Sequence, residues 1–170
     1  MEKNSLRRKH RGQRVDRNQG DEICRRIVEL EAFRKAEKVL VYSPLSDEID
    51  IVPLLEENKK FYFPKLEDGR MVFTLYTGVT VIGSYGLDNA TGPVLENFDN
   101  AIAIVPGLSF DAECYRLGRG GGFYDRFLQS HPKLFTIGVQ TEENLESILP
   151  HDSWDVRMKC VLTEKSVFVS

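Results

Sequence analysis

Residues 101–128, AIAIVPGLSFDAECYRLGRGGGFYDRFL, contain an apolar β-branched run, a glycine-rich segment and a helical repeat, in that order. Ala101–Val105 has the composition of a short buried strand, and Tyr124, Phe127 and Leu128 recur at helical spacing. Glycines between a strand and a helix let backbone N–H groups converge on an anion, and the helix N-terminus adds partial positive charge. The segment therefore predicts a phosphate-binding loop, with a flexible surface turn as the alternative.

The glycine-rich segment differs from the common nucleotide-binding motifs. Arg116–Arg126 carries four glycines and three arginines, and arginine makes bidentate contacts with phosphate. No Lys-Ser/Thr pair follows the glycines as in a P-loop, and a position two-thirds along the chain is unlike a dinucleotide fingerprint. Asp125 at the helix start is either a Mg²⁺ ligand or a carboxylate that favours the positive end of the helix.

Length and composition fit one domain that spans residues 1–170. The chain is 41% hydrophobic and 29% charged, as in an ordinary globular protein. A net charge of −3 argues against nucleic-acid binding, and no apolar run approaches the roughly 18 residues of a membrane span. The three cysteines show no metal-ligand spacing and are typical of reduced thiols. We therefore expect a cytoplasmic protein without nucleic-acid or membrane partners. We also expect a monomer.

The first seventeen residues are strongly basic, with seven Lys and Arg. Residues 3–17 predict a basic helix that breaks near residues 18–20. Lys3, Arg7 and Arg11 fall on one face of this helix, since they are four residues apart. That face either closes over a polyphosphate or is a solvated basic surface, and the sequence favours neither.

Short apolar runs alternate with helical patterns along the rest of the chain. Helices are predicted over residues 49–55, over residues 142–149 and in a segment that starts from Asp21 as its N-cap. Strands are predicted at residues 39–42, 61–64, 71–75, 80–82, 135–139, 160–163 and 167–169. Residues 71–75 and 80–82 are expected to pair with each other across Gly78. Residues 83–98 stay unassigned. The alternation predicts an α/β fold, a three-layer αβα arrangement that is Rossmann-like, with a mostly parallel sheet and helices on both faces.

In such sheets ligands bind beyond the carboxyl ends of the strands. This rule brings the loop at residues 43–48, Lys65 and the glycine-rich segment to one edge. Glu48 is either a ligand contact or a first-turn carboxylate beside a helix-capping Asp47. Lys65 is either a phosphate contact or an ordinary exposed lysine. Asp155 is either a second metal ligand or part of a polar loop.

Two motifs resemble a known family. Val105–Asp111 followed by Arg116–Arg126 resembles the signature of the 5-formyltetrahydrofolate cyclo-ligase family. Residues 3–14 are similar to the family's ATP-contacting helix, Tyr42–Glu48 to its folate-contacting segment, and Pro150–Asp155 to its closing segment. The resemblance covers most of the chain.

The resemblance implies Mg²⁺- and ATP-dependent cyclisation of 5-formyltetrahydrofolate to 5,10-methenyltetrahydrofolate, with release of ADP and phosphate. In that chemistry the formyl oxygen attacks the γ-phosphate, and N10 of the folate then attacks the activated carbon. Positioning and charge neutralisation are sufficient for such phosphoryl transfer, so no protein nucleophile is expected. The alternative is a nucleotide- or folate-binding protein without turnover.

The resemblance also assigns site residues, and it implies that helix 3–17 closes over the nucleotide. ATP contacts are expected from Lys3, Asn4, Ser5, Leu6, Arg7, Arg116, Leu117, Gly118, Arg119, Gly120, Gly121, Gly122, Phe123 and Tyr124. Folate contacts are expected from Ser43, Glu48, Arg119, Gly120, Gly121, Gly122 and Phe123. Mg²⁺ contacts are expected from Asp125 and Asp155. The chain departs from the family pattern at Asn89, Ala90, Cys114, Asn144 and Lys159, so the substrate preference stays open.

Overall fold

The computed structural model describes residues 2–82 and 88–170, and its centre is a seven-stranded sheet. The strands are β1 (Lys38–Leu40), β2 (Lys60–Glu67), β3 (Arg70–Leu75), β4 (Thr80–Ile82), β5 (Asp88–Ala90), β6 (Ala101–Pro106), β7 (Ser109–Phe110), β8 (Arg116–Leu117), β9 (Phe135–Val139), β10 (Cys160–Leu162) and β11 (Val167–Val169). The helices are α1 (Lys3–His10), α2 (Arg17–Glu29), α3 (Glu31–Lys35) and α4 (Phe123–Ser130), with 3-10 turns at Val52–Glu56 and Glu142–Asn144.

The sheet order is β11-β10-β9-β6-β1-β2-β3. The five inner strands are parallel, and β3 and β11 pair antiparallel at the two edges. Strands β4 and β5 pair with each other, as do β7 and β8. Within the described part of the chain no helix is long and apolar enough to cross a bilayer.

Helices cover both faces of the sheet. Val39 points to the face covered by α2 and α3, where it packs in a cluster with Ile23 and Phe33. Its neighbour Leu40 points to the opposite face and packs in a second cluster with Phe127 of α4. Successive strand residues alternate between faces; β1, β2, β6 and β10 contribute to both clusters, whereas β9 contributes only to the first. The predicted three-layer α/β fold with a mostly parallel sheet is confirmed.

The predicted pairing of residues 71–75 with 80–82 is wrong. Strand β3 pairs with β2, from Tyr62 opposite Leu75 to Glu67 opposite Arg70. The connecting residues Asp68 and Gly69 both have positive φ, 51° and 74°, as a two-residue hairpin turn requires. Asp-Gly is a strong hairpin signal, and the sequence interpretation overlooked it in favour of Gly78.

The predicted basic helix 3–17 is also wrong in extent, because α1 ends at His10. Gly12 then adopts a left-handed φ of 76° and turns the chain. Helix α2 begins at Arg17, and Asp16, not Asp21, is its N-cap, accepting the backbone N–H of Asn18 at 2.7 Å.

Two further predicted helices are single 3-10 turns. In place of the helix predicted over residues 49–55 there is one turn, over Val52–Glu56. The Val52 N–H donates to Asp50 Oδ1 at 3.0 Å. Residues 142–149 form a turn only over Glu142–Asn144. The expectation that Asp47 caps a helix fails for the same reason, since no α-helix follows it.

All three cysteines are free and buried, as the composition predicted for reduced thiols. Burial raises the pKa of Cys24 and Cys160 to about 12, so both are unreactive thiols at neutral pH. Cys114 adopts a left-handed φ of 69° although it carries a side chain. The backbone at Cys114 therefore has a conformation that glycine would adopt without strain.

The β7–β8 pair is fixed to the sheet by Phe110, which is fully buried. Its ring packs against the backbone of Gly107 and Gly138, where a Cβ at Gly107 would lie 2.8 Å from the ring Cζ and one at Gly138 would overlap the ring. Arg116 lies opposite Phe110 in the two-stranded register. The start of the glycine-rich segment is therefore positioned by this aromatic contact.

We expect Gly138→Ala to destabilise the fold by about 1–3 kcal/mol, because the added methyl overpacks a site with no free space. Gly20→Ala is the matched control, since a Cβ there meets nothing nearer than 4.0 Å and Gly20 lies inside α2, where alanine is the better helix former. Urea unfolding midpoints compare the two variants with the parent. Equal midpoints for Gly138→Ala and the parent would contradict the role given to Phe110.

Candidate active site

Five segments meet beyond the carboxyl ends of the parallel strands, and two of them, the loop at residues 43–48 and the glycine-rich segment, are those that the sequence placed at this edge. Residues 42–48 follow β1, Gly107 follows β6, and residues 118–122 connect β8 to α4. Helix α1 and residues 152–155 complete the site. Leu6 fixes α1 to this edge of the sheet by packing with Leu108, Leu117 and Leu149.

One cavity of about 170 Å³ has mainly apolar walls. It is lined by Tyr42, Ser43, Leu45, Glu48, Pro64, Met71, Pro106, Gly107, Arg116, Gly118, Arg119, Gly121, Gly122, Phe123 and Tyr124. Rings and aliphatic groups from four elements surround a single carboxylate, that of Glu48. We call this space the apolar cavity; its composition suits a flat, partly aromatic ligand with a few polar edges.

A second cavity of about 220 Å³ has polar walls. It is lined by Lys3, Arg7, Arg116, Leu117, Gly118, Arg119, Gly120, Gly122, Asp125, Asp152, Trp154 and Asp155. Cationic side chains, glycine backbone and carboxylates share this space, which we call the polar cavity. Such a combination suits a polyanion with an associated cation.

The glycine-rich segment is the wall between the cavities, since Arg116, Gly118, Arg119 and Gly122 line both. Gly122 has a left-handed φ of 70° and is the N-cap of α4. Gly120 has a φ of 108° and lies under the Arg7 guanidinium, which a Cβ would approach to 3.6 Å. The glycines therefore bring backbone and a helix N-terminus close to both spaces.

Helix α1 is bound to this wall by the basic face that the sequence predicted. Arg7 Nε donates to Gly118 O at 2.9 Å, and Arg11 Nη2 donates to Arg119 O at 2.9 Å. Lys3 Nζ forms ion pairs with Asp152 at 2.6 Å and Asp155 at 2.5 Å. Lys3 and Arg7 therefore line the polar cavity, whereas Arg11 is exposed and binds the wall outside that cavity.

Arg119 connects the wall to the loop after β1. Its guanidinium forms an ion pair with Asp47 and another with Glu48, the latter at 3.2 Å. Burial would raise the pKa of Asp47, but hydrogen bonds from Arg119 and the Gly12 N–H outweigh it and lower that pKa. Burial raises the pKa of Glu48, although the Leu45 N–H and Arg119 oppose the shift. Asp47 and Glu48 thus share the Arg119 guanidinium, but their pKa values are shifted in opposite directions.

Arg116 is the buried cation of the shared wall, with its side chain 7% exposed. Its Nη1 donates to Pro106 O at 3.1 Å, its Nη2 lies 3.8 Å from Asp125, and its guanidinium stacks on the Tyr124 ring at 5.1 Å. Burial lowers the pKa of Arg116, against the effect of Asp125, and raises the pKa of Tyr124. Among the residues that the structure describes, none bonds to Arg116 Nε or to the Tyr124 hydroxyl.

The carboxylates of the polar cavity fit a Mg²⁺ ion bound together with phosphate. Asp125 and Asp155 line the same space, and Asp152 lies beside them. The described residues contain no group of three or more protein ligands that could hold a metal by themselves. Mg²⁺ is usually held by one or two carboxylates, with water and substrate phosphates completing the shell, so this donor set is adequate.

The structure brings most of the expected site residues together. Every expected residue from 116 to 125, with Lys3, Arg7, Ser43, Glu48 and Asp155, lines one of the cavities. Asn4, Ser5 and Leu6 do not: Asn4 accepts from Arg7 at 2.8 Å, Ser5 accepts from Arg8 at 3.0 Å, and Leu6 is buried in its leucine cluster. Lys65 also lies apart and pairs with Glu67 at 3.7 Å.

The sequence interpretation missed Asp152 as a partner of Lys3 and did not anticipate Asp47 as a partner of Arg119. It also missed the buried His10, whose Nε2 lies 2.6 Å from Glu146. For Asp152 a sequence signal was available, because Asp152 and Asp155 are three residues apart and residues at that spacing can face the same side. Asp47 and His10 had no local signal, since their partners are 72 and 136 residues away.

Of the departures from the family pattern, Ala90 is buried in the core and Asn144 donates to Gln140 Oε1 at 3.4 Å. Lys159 is exposed and contributes its backbone N–H to Thr136. None of the three lines either cavity. The side chain of Asn89 lies outside the part of the chain that the structure describes.

Comparison with known proteins gives concordant results. Residues 2–164 match the model of the 5-formyltetrahydrofolate cyclo-ligase family. The 5-formyltetrahydrofolate cyclo-ligase of Escherichia coli K12 is 30% identical over 165 residues, with 88% of this chain and 90% of that protein covered.

Two solved structures share the fold. The 5,10-methenyltetrahydrofolate synthetase of Aquifex aeolicus, determined by NMR, superposes with a TM-score of 0.88 at 30% identity, covering 99% of this chain and 93% of that one. The synthetase of Mycoplasma pneumoniae superposes with a TM-score of 0.76 at 20% identity, covering 96% and 99%, which supports the fold alone. By its sequence match and its fold, this chain belongs to the 5-formyltetrahydrofolate cyclo-ligase family.

Proposed function

We propose that this protein converts 5-formyltetrahydrofolate to 5,10-methenyltetrahydrofolate in an ATP- and Mg²⁺-dependent reaction that releases ADP and phosphate. The observation that carries the proposal is the glycine-rich wall shared by an apolar and a polar cavity. A reaction that joins a flat heterocycle to a phosphate donor needs two such spaces in contact. Membership of the family supplies the identity of the substrate class.

The polar cavity is the proposed ATP site. Arg7, Arg116 and Arg119 present guanidinium groups there, and the glycine backbone leads into the N-terminus of α4. These groups bind phosphate oxygens through charge-assisted hydrogen bonds. Lys3 is held at the same cavity by α1, so the helix covers the phosphate chain from above. Mg²⁺, when bound at Asp125 and Asp155, would neutralise charge on the transferring phosphoryl group.

The apolar cavity is the proposed folate site. The Phe123 and Tyr42 rings provide flat apolar surfaces, and the Glu48 carboxylate is the acceptor among them. The pterin ring of the substrate carries N–H donors along one edge, and a buried carboxylate is their natural partner. Ser43 lines the same wall. The proposed reaction requires the formyl group to face the glycine-rich wall, which the apolar cavity shares with the polar cavity.

In the proposed reaction the formyl oxygen attacks the γ-phosphorus, the bond to the β-phosphate oxygen breaks, and ADP leaves. N10 then attacks the formyl carbon and closes the five-membered ring; N10 loses its proton, and the C–O bond breaks with release of phosphate, which takes up that proton. Arg116 lies in the wall that both cavities share, so its fixed charge is available to the group in transfer. The protein supplies orientation and electrostatic stabilisation and no covalent nucleophile.

A protein that binds nucleotide and folate without turnover is the competing function. The two are separated by mixing purified protein with MgATP and 5-formyltetrahydrofolate and following the absorbance of the methenyl product. Binding of both ligands with no product would leave only the binding function.

Glu48→Gln should lower kcat/KM for the folate about 10- to 100-fold, because a charge-assisted hydrogen bond in a buried site becomes a neutral one. The change should appear mainly in KM for the folate, while KM for ATP stays within about threefold. Glu56→Gln is the control, since Glu56 is exposed and lines neither cavity. An unchanged KM for the folate in Glu48→Gln would contradict the assignment of the apolar cavity.

Asp125→Ala should lower kcat at least about 100-fold without unfolding the protein, and saturating Mg²⁺ should not restore it. The exposed Asp99, changed to Ala, provides the control. Turnover is measured over a Mg²⁺ titration, and circular dichroism monitors the fold. A near-normal rate at saturating Mg²⁺ would exclude Asp125 as the metal ligand.

A further inference from the structure

Asp47 joins three segments of the site without lining either the apolar or the polar cavity. Its carboxylate accepts a hydrogen bond from the Gly12 backbone N–H at 3.0 Å and forms an ion pair with Arg119. The residue is 6% exposed. Asp47 can therefore act on a bound ligand only through the two groups that it holds.

The two partners of Asp47 lie in the segment that follows α1 and in the glycine-rich wall. Gly12 ends the segment that α1 begins, and its left-handed turn directs the N–H toward the carboxylate. Arg119 is part of the glycine-rich wall, and its carbonyl accepts from Arg11, the residue next to Gly12. Helix α1 and the wall are thus tied to each other and, through one carboxylate, to the loop after β1.

The neighbour of Asp47 in sequence belongs to the apolar cavity. Glu48 shares the Arg119 guanidinium with Asp47 and also accepts the Leu45 backbone N–H at 3.0 Å. Burial would raise the pKa of both carboxylates. At Asp47 the hydrogen bonds from Arg119 and Gly12 are the stronger effect and lower the pKa, whereas at Glu48 burial is the stronger effect and raises it. Asp47 therefore stays charged more readily than Glu48. It keeps its ion pair with Arg119 when Glu48 exchanges that partner for a hydrogen bond to a ligand.

We propose that Asp47 is a positioning residue that couples the two cavities, so that a nucleotide bound under α1 raises the affinity of the apolar cavity for folate, and the reverse. The inference rests on the proposed function for the identity of the two ligands. A ligand that contacts both α1 and the glycine-rich wall restricts the motion of Gly12 and Arg119. Because Asp47 and Glu48 share the Arg119 guanidinium, Glu48 is then held in place as well. Binding of the folate then costs less conformational entropy, since the residues that contact it are already fixed. Coupling of this kind is reciprocal by thermodynamic necessity.

The test measures the affinity for 5-formyltetrahydrofolate by titration calorimetry, without and with a saturating non-hydrolysable ATP analogue and Mg²⁺. In the parent protein we expect the analogue to tighten folate binding about tenfold, within the usual range for coupled sites. In Asp47→Asn the ratio of the two affinities should fall to near one. Each ligand measured alone should keep its affinity within about threefold, since Asp47 touches neither cavity.

Asp50→Asn is the matched control, because this exposed carboxylate three residues away only caps the Val52 N–H at 3.0 Å, a bond that asparagine preserves. It should keep the coupling of the parent. Arg119→Gln, in which the same link is broken from its other end, should lose the coupling even if its affinity for each ligand also falls. If Asp47→Asn does not fold, the ratio of the two folate affinities is measured in Arg119→Gln instead.

Retention of the tenfold ratio in Asp47→Asn or in Arg119→Gln would overturn the proposal, as would a parent protein without coupling. Loss of the ratio in both variants with retention in Asp50→Asn would support it. The measurement involves binding alone, so its result is separate from that of the turnover assay. A parent protein that couples its ligands but forms no product would contradict the proposed reaction and leave the role of Asp47 intact.

Discussion

The site depends on one packing contact, that of the Phe110 ring with the backbone of Gly107 and Gly138. These glycines lie at or just beyond the ends of two neighbouring parallel strands, β6 and β9, and their missing side chains leave space for a fully buried ring. Because the ring belongs to the two-stranded unit that also contains Arg116, the packing sets where the glycine-rich wall starts. Hydrophobic burial at the sheet edge thereby determines where the glycine-rich wall and its arginines lie.

From this anchor the polar groups of the site follow a consistent pattern. Backbone carbonyls of the wall face α1 and accept from arginines, while the opposite surface of the wall faces rings and aliphatic groups. The charged groups are thus concentrated in a partly buried layer between two spaces of different polarity. In such a layer charges interact more strongly than in water, and unpaired ones are costly. Arg116 illustrates both effects, since it is almost fully buried and its Nε has no partner among the described residues.

The sequence predicted the parts of this protein that have local causes. Alternating apolar runs predicted the layered sheet, and the spacing of Lys3, Arg7 and Arg11 predicted a shared basic face without deciding whether it meets a ligand or solvent. The errors arose where a short local signal was outweighed or overlooked: Asp68-Gly69 turns the β2–β3 hairpin, and Gly12 ends α1. The pairing of Asp47 with Arg119 depends on the tertiary fold, because its two halves are 72 residues apart. No periodicity or motif contains that information.

The partners of Lys3 impose a condition on the proposed chemistry. Its ammonium lies between Asp152 and Asp155, at 2.6 and 2.5 Å, and thus takes the place of a cation at these carboxylates. The two carboxylates and one ammonium carry a net charge of −1, which a divalent ion at Asp155 would make positive unless phosphate arrived with it. Phosphate oxygens offer Lys3 new partners on the same side of the cavity, and the ammonium has a flexible stem that permits the exchange. In the proposed reaction, a metal that binds Asp155 would have to displace the Lys3 ammonium from it, and phosphate oxygens would then be the new partners of Lys3.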